Sequence, residues 1–91
     1  MKQGLVALRE REWAEAVLRR ESAERYEHER RALLVRACRE AREAQGIGLR
    51  DMGRRIGCSA SMLSNIERSR RWSEWIVTAY ISEVAATEGT R

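Results

Sequence analysis

The chain carries no helix-breaking residue over 41 consecutive positions, from Leu5 to Gln45. Proline is absent from the whole sequence, and this stretch also lacks glycine while being rich in Glu, Arg, Ala and Leu, which are strong helix formers. Gly46, Gly48, Gly53 and Gly57 then fall within a dozen residues. No alternation of apolar and polar residues persists, so strands are not expected. The pattern predicts an all-α fold in which a long helical stretch precedes a series of tight turns.

Apolar residues recur at helical spacing in four segments after residue 33. We expect the first helix to end near Gln45, where Gly46 can adopt the left-handed conformation of a C-terminal stop. A second helix covers residues 49–56, and serines that can act as N-caps, Ser59 and Ser73, precede a third and a fourth. Because three of the four are too short to be stable alone, they must pack on one another.

The segment before residue 30 differs from the rest of the chain. Glu and Arg recur at spacings of three or four, which favours a helix, either continuous or broken near Ser22. Its apolar stripe is thin and does not sustain heptads, so a regular coiled coil is not expected. We expect this helix to pack on its own domain or on a second copy. The candidate dimer or partner contacts are Leu5, Leu8, Trp13 and Val17, together with Trp72 and Trp75 further along the chain.

Positive charge is concentrated in the middle of the chain. The net charge is +4 overall, and residues 46–71 contain six arginines against one Asp and one Glu. A local basic patch flanked by nearly balanced segments is typical of a surface that attracts a phosphate backbone. The six arginines are Arg50, Arg54, Arg55, Arg68, Arg70 and Arg71.

Several classes of protein are not expected. The chain has no run of about 18 apolar residues and no apolar signal-peptide core, so we expect a cytoplasmic protein without membrane contact. Cys38 and Cys58 are too few for a disulfide scaffold or a zinc site, and both are expected to be core residues. No arrangement of Ser, His and Asp suits catalysis, and no glycine-rich loop suits a phosphate. We therefore expect no enzyme, cofactor, metal or small-molecule substrate.

Residues 46–71 read GIGLRDMGRRIGCSASMLSNIERSRR, which predicts a short helix, a tight turn and a second short helix. Gly53 lies mid-helix, where the second helix must cross closely, and Ser59 caps that second helix. This pattern is typical of a helix-turn-helix.

The segment resembles the DNA-binding domain of the phage repressor/Cro-type, or Xre, family from Arg42 to about Arg71. The positions that match the family's pattern are Gly46, Ile47, Met52, Gly53, Ile56, Gly57, Cys58, Ser59, Ser61, Leu63, Ser64, Ile66 and Glu67. Gly48 and Leu49 stand where the family has Ser-Gln, and Ser69 replaces the usual glycine after the third helix. These departures affect the expected phosphate contacts and leave the expected fold unchanged.

The resemblance implies a compact five-helix domain over residues 29–87, with an additional N-terminal helix over 1–28 and a disordered tail at 88–91. Within the recognition helix, Ala60–Arg68, it implies base contacts from Ala60, Ser61, Met62 and Asn65. The expected contacts to the DNA backbone are the six arginines of the basic patch together with Ser59 and Ser64. An ion pair between Arg42 and Glu67 is expected to fix the recognition helix against the first helix.

The function implied is that of a transcriptional regulator, most simply a repressor that binds a palindromic operator as a homodimer through the major groove. An alternative is an antitoxin or adaptor whose N-terminal helix binds a protein partner and which regulates its own operon. RNA binding is disfavoured, because the basic surface lacks aromatic residues for base stacking.

Overall fold

A computed structural model of the chain describes the backbone of residues 2–89 and the side chains of residues 9–88. It contains four helices and no strand within that range, which confirms the all-α class. The helices are α1, Lys2–Ala44; α2, Leu49–Ile56; α3, Ala60–Glu67; and α4, Glu74–Gly89. The chain divides into two compact units, Met1–Arg31 and Ala32–Arg91, and α1 crosses the division between them.

The expected five-helix domain with an additional N-terminal helix is wrong in its helix count. The N-terminal extension and the first domain helix form one helix of 43 residues, with no break at Ser22. The reason is local, because neither glycine nor proline occurs from Leu5 to Gln45 and Glu–Arg pairs such as Glu15–Arg19 support the helix. Beyond Gly57 the next glycine is Gly89, and the fourth helix expected after Ser73 runs for 16 residues as α4.

Glycine and serine end the helices as their local chemistry predicts. Gly46 has a φ of 70°, and the amides of Gly46 and Ile47 donate to the carbonyls of Glu43 and Arg42, which is a Schellman motif. Gly57 ends α2 with a φ of 98°. The sequence thus fixes both turns by placing a residue without a Cβ where the backbone is left-handed.

The core lies within the unit Ala32–Arg91, where every helix contributes to it. Met52 of α2 and Leu63 and Ile66 of α3 are fully buried, and they pack with Tyr80 of α4. The remaining buried core residues are Val35, Cys38, Ile47, Ile76, Val77 and Val84. α2 packs against both α3 and α4, so the short helices are held by one shared core.

The C-terminal residues depart in part from expectation. Glu88 and Gly89 are helical, although we expected a disordered tail from residue 88. Residues 90 and 91, also part of that expected tail, lie outside the described residues. Although α1 is long enough to cross a bilayer, no helix in the described part of the chain combines such length with the necessary apolarity.

Candidate nucleic-acid interface

A close backbone approach sets the angle between α2 and α3. A Cβ placed on Gly53 would lie 2.7 Å from the carbonyl oxygen of Cys58, closer than real Cβ atoms come to backbone. Only glycine therefore lets the turn lie directly against α2. The turn ends at Ser59, whose Oγ accepts a hydrogen bond of 3.0 Å from the amide of Met62, so the predicted N-cap is confirmed.

Helix α3 divides cleanly between a buried and an outward face. Leu63 and Ile66 are fully buried. Ser61 is exposed and Asn65 partly exposed, and with the exposed Arg68 just beyond the helix they recur at spacings of four and three. Such spacing places them on one face. This outward face therefore presents a hydroxyl, a carboxamide and a guanidinium in a row, all of which can hydrogen-bond to base edges or phosphates.

Two of the four expected base contacts lie elsewhere on α3. Met62 is partly buried against the core and lines a groove of about 400 Å³ with the turn and with Trp72 and Trp75. Ala60 lines a second hollow of about 400 Å³ beside α2. Ser61 and Asn65 are therefore the expected base-reading residues that share the outward face with Arg68.

Arginines flank α3 on two sides. Arg50 and Arg54 lie one turn apart on α2, are exposed, and line the hollow at the start of α3 together with Ser59. Arg70 and Arg71 follow the other end of α3, are exposed, and donate their backbone amides to the carbonyl of Asn65 at 2.9 and 3.3 Å. Ser64, also expected at the DNA backbone, is partly exposed and lines a cleft next to Arg68.

Arg55 differs from the other five arginines of the basic patch in its ion pairs. Its Nη2 atom lies 3.1 Å from Asp51 Oδ2 and its Nη1 atom 3.8 Å from Glu83 Oε1 of α4. None of the ion pairs shown among residues 9–88 uses Arg50, Arg54 or Arg68, nor Arg70 or Arg71. Arg55 therefore links α2 to Glu83 of α4 while remaining exposed, whereas the other five arginines take part in none of these ion pairs.

A polar network under α3 fixes its position. The structure contains the Arg42–Glu67 ion pair, with Arg42 Nε 2.9 Å from Glu67 Oε2 and Nη2 3.0 Å from Oε1. Arg42 Nη1 donates to the carbonyl of Ile47 at 2.7 Å, and Tyr80 Oη donates to Glu67 Oε2 at 2.6 Å. The network joins the end of α1, the loop before α2, α3 and α4, so α3 cannot shift without breaking charged hydrogen bonds.

Burial and charge explain the titration behaviour of this network. The hydrogen bond to Glu67 raises the pKa of Arg42, against the opposing effect of burial. Burial is the main cause that raises the pKa of Tyr80, and the hydrogen bond to Glu67 raises it further. Tyr80 therefore stays a neutral phenol that donates to the carboxylate. Sequence reasoning missed its role; the available signal was a tyrosine on the apolar face of α4, since a buried phenol needs a partner.

The cysteines lie in apolar surroundings. Cys38 is buried and Cys58 partly buried, and burial raises the pKa of each thiol. Within residues 9–88 no group of three or more His, Cys, Asp or Glu side chains is placed to hold a metal ion.

Comparison of the chain with protein-family models, curated proteins and solved structures found no match in any of the three.

The remaining residues singled out from the sequence lie on different parts of the chain. Trp13 is 71% exposed and Val17 partly buried, both within the unit Met1–Arg31. The side chains of Leu5 and Leu8 lie outside the described residues. Trp72 packs partly on the core, and its indole Nε1 donates to Glu74 at 3.0 Å.

Proposed function

We propose that the chain is a sequence-specific, double-stranded DNA-binding transcriptional regulator of the phage repressor/Cro type. The observation that carries the proposal is the outward face of α3, which presents Ser61, Asn65 and Arg68 between two pairs of exposed arginines. An amide such as that of Asn65 pairs with two atoms of adenine, and a serine hydroxyl bonds to several bases. In the proposed complex the flanking arginines contact phosphates and position α3 on the duplex.

The residues in and around the outward face of α3 have two proposed roles, which follow from their side-chain chemistry. Affinity without sequence preference comes from phosphate contacts. These are made by Arg50 and Arg54 on one side of α3 and by Arg70 and Arg71 on the other. Ser61 and Asn65 carry the sequence preference. Because one α3 helix reads only a few base pairs, we propose a homodimer on a palindromic operator, with half-sites about 34 Å apart or a multiple of that distance. Occlusion of a promoter makes such a protein a repressor.

The experiment begins with selection of bound duplexes from a random pool, followed by binding measurements across a salt series. We expect Asn65→Ala to lower affinity for the selected site and to leave binding to random duplex nearly unchanged. Arg70→Ala should weaken binding to both and reduce the slope of log affinity against log salt by about 1. Arg36→Ala is a matched control, because Arg36 is an exposed arginine on α1 that pairs with Glu40 at 3.2 Å.

The outcome is decisive in either direction. If the chain enriches no sequence and its binding to duplex is insensitive to salt, the proposed function is wrong. If Asn65→Ala and Arg70→Ala have equal effects on every duplex, DNA binding stands. The assignment of Asn65 to base contacts and Arg70 to phosphate contacts is then wrong. Thermal melts of each variant separate these effects from loss of fold.

A second candidate function is favoured by the unit Met1–Arg31. It exposes Trp13, Leu18 and Tyr26, each more than 60% accessible, which suits an antitoxin or adaptor that binds another protein through this helix. The state of assembly of the purified chain distinguishes this function from a self-associating regulator.

A further inference from the structure

The helix of the unit Met1–Arg31 buries almost none of its own surface. Among its described side chains, residues 9–31, all are exposed except Val17, Glu27 and Arg31, which are partly buried. Trp13 leaves 71% of its surface accessible. A large indole on a helix that lacks packing of its own gains considerably from a partner surface.

One face of this helix combines apolar and complementary charged residues, and we name it the Trp13 face. Its members recur at alternating spacings of four and three, which places them in line along the helix. They are Trp13, Val17, Arg20, Glu24, Glu27 and Arg31. The small side chains of Ala16 and Ala23 flank the same face and permit close approach of another helix.

The charges of this segment favour a copy of itself over a strongly charged partner. Residues 9–31 contain seven arginines and seven glutamates, so the segment has no net charge, in contrast to the basic patch. The ion pairs shown within it join Glu15 to Arg19, and Glu27 to Arg30 and Arg31. None of the ion pairs among residues 9–88 uses Arg20 or Glu24, which are both exposed.

We infer that the Trp13 face binds the same face of a second copy of the chain in antiparallel orientation, with Arg20 of each protomer opposite Glu24 of its partner. In this register Trp13 lies opposite Arg31 and Val17 opposite Glu27. The guanidinium can then stack on the exposed indole, and the two central Arg–Glu pairs form symmetrically across the axis. The inference names the interface of the homodimer within the proposed function, yet it uses no residue of the DNA-binding face.

Other alignments of the same face either place like charges together or set Arg20 and Glu24 opposite apolar residues. Shifting one helix by seven residues in one direction sets Arg20 opposite Arg31 and Glu24 opposite Glu27, which repel. The shift in the other direction sets Trp13 opposite Glu24. A parallel pair in register sets Arg20 opposite Arg20 and Glu24 opposite Glu24. The antiparallel register is therefore the one that the charge pattern selects.

Charge reversal tests the register directly on the full-length chain, with sedimentation velocity and light scattering in the absence of DNA. Arg20→Glu alone, or Glu24→Arg alone, turns two attractive contacts into two repulsive ones and should weaken the dimer about tenfold or more. The double variant Arg20→Glu/Glu24→Arg restores opposite charges and should recover the dimer. An equimolar mixture of the two single variants should form a heterodimer of twice the 10.5 kDa mass of one chain.

The matched control reverses Arg25 and Glu29, singly and together. These residues have the same order and spacing on α1 as Arg20 and Glu24 but lie on another face, and both are exposed. Their reversal changes the charge balance within the helix in the same way and should leave the dimer unchanged. Helical circular dichroism checks that every variant remains folded.

Three results would overturn the inference. A wild-type chain that stays monomeric at high concentration leaves the Trp13 face to a different protein. A dimer that survives both single reversals forms through another surface. Loss of the dimer in the single variants without recovery in the double variant excludes the Arg20–Glu24 pairing. Because no DNA is present, each result is independent of the proposed function, which fails only if a correctly assembled chain does not bind duplex.

Discussion

The substitution Glu67→Gln tests how strongly the polar network fixes α3. It keeps the shape of the side chain and removes the charge that receives two hydrogen bonds from Arg42 and one from Tyr80. The new amide nitrogen is itself a hydrogen-bond donor. It therefore lies opposite the donor groups of Arg42 or Tyr80 and can accept no hydrogen bond from them. Both charged side chains are more than 90% buried in the wild type, and Arg42 would remain buried without its counter-ion.

The expected loss follows from that burial. Removing one partner of a buried ion pair costs about 3 kcal/mol or more, because the remaining charge has lost its compensation. For a domain of this size, about 3 kcal/mol lowers the melting temperature by roughly 12–24 °C. Since the outward face of α3 is the proposed DNA-binding surface, affinity for duplex DNA should fall as well, even at temperatures at which the variant is folded.

The assay is thermal melting followed by circular dichroism, with Glu40→Gln as the matched control. Glu40 receives a hydrogen bond of 3.2 Å from Arg36, but both side chains are largely exposed, so water compensates for the loss. We expect no measurable shift for this control. If Glu67→Gln melts at the same temperature as Glu40→Gln, the network does not stabilise the fold and our reasoning about α3 is wrong.

Four further predictions concern single residues. Gly53→Ala should destabilise the chain by about 1–3 kcal/mol in urea unfolding, because its Cβ would lie 2.7 Å from a backbone oxygen, and a wild-type midpoint would contradict this. Gly48→Ser should stabilise it by roughly a few tenths of a kcal/mol in the same assay, because Gly48 is an N-cap with no side-chain hydrogen bond and has open space around it. Ser69→Gly should add roughly 1 kcal/mol, since Ser69 has a φ of 59°, and an unchanged melt would show that the left-handed serine is unstrained. Because the pKa of Tyr80 is raised in the folded chain, its stabilising contribution is present at neutral pH and is lost as pH rises above about 10. Tyr80→Phe should therefore flatten the alkaline fall in unfolding free energy, and an unchanged fall would contradict this.

Local chemistry accounts for the parts of the fold that the sequence predicts well. Gly46 and Gly57 end helices because only a residue without a Cβ adopts positive φ at little cost, and Ser59 begins one because its hydroxyl satisfies a backbone amide. Such rules involve neighbours within four residues and need no knowledge of the tertiary structure. The bounds of α2 and the start of α3 followed directly.

Two kinds of feature were predicted wrongly or missed. The helix count was wrong where the family resemblance disagreed with local helix propensity, and contacts were missed where the partners lie far apart in sequence. The resemblance implied a separate N-terminal helix, although neither glycine nor proline occurs from Leu5 to Gln45 to end one, and α1 runs through Ser22 without a break. The hydrogen bond from Tyr80 to Glu67 spans 13 positions, and the ion pair of Arg55 with Glu83 spans 28. Contacts of this kind depend on how α4 packs, which no local pattern specifies.

The division of α3 into a buried and an outward face has a consequence for the evolution of the proposed function. Leu63 and Ile66 face inward and Glu67 is bound by Arg42 and Tyr80, so these positions are constrained by stability. Ser61 and Asn65 belong to none of those contacts and lie on the opposite side of a helix only eight residues long. Under the proposed function, exchanging these two side chains should give new operator preferences with little loss of stability, and a library restricted to these two positions is a small starting point for retargeting the protein.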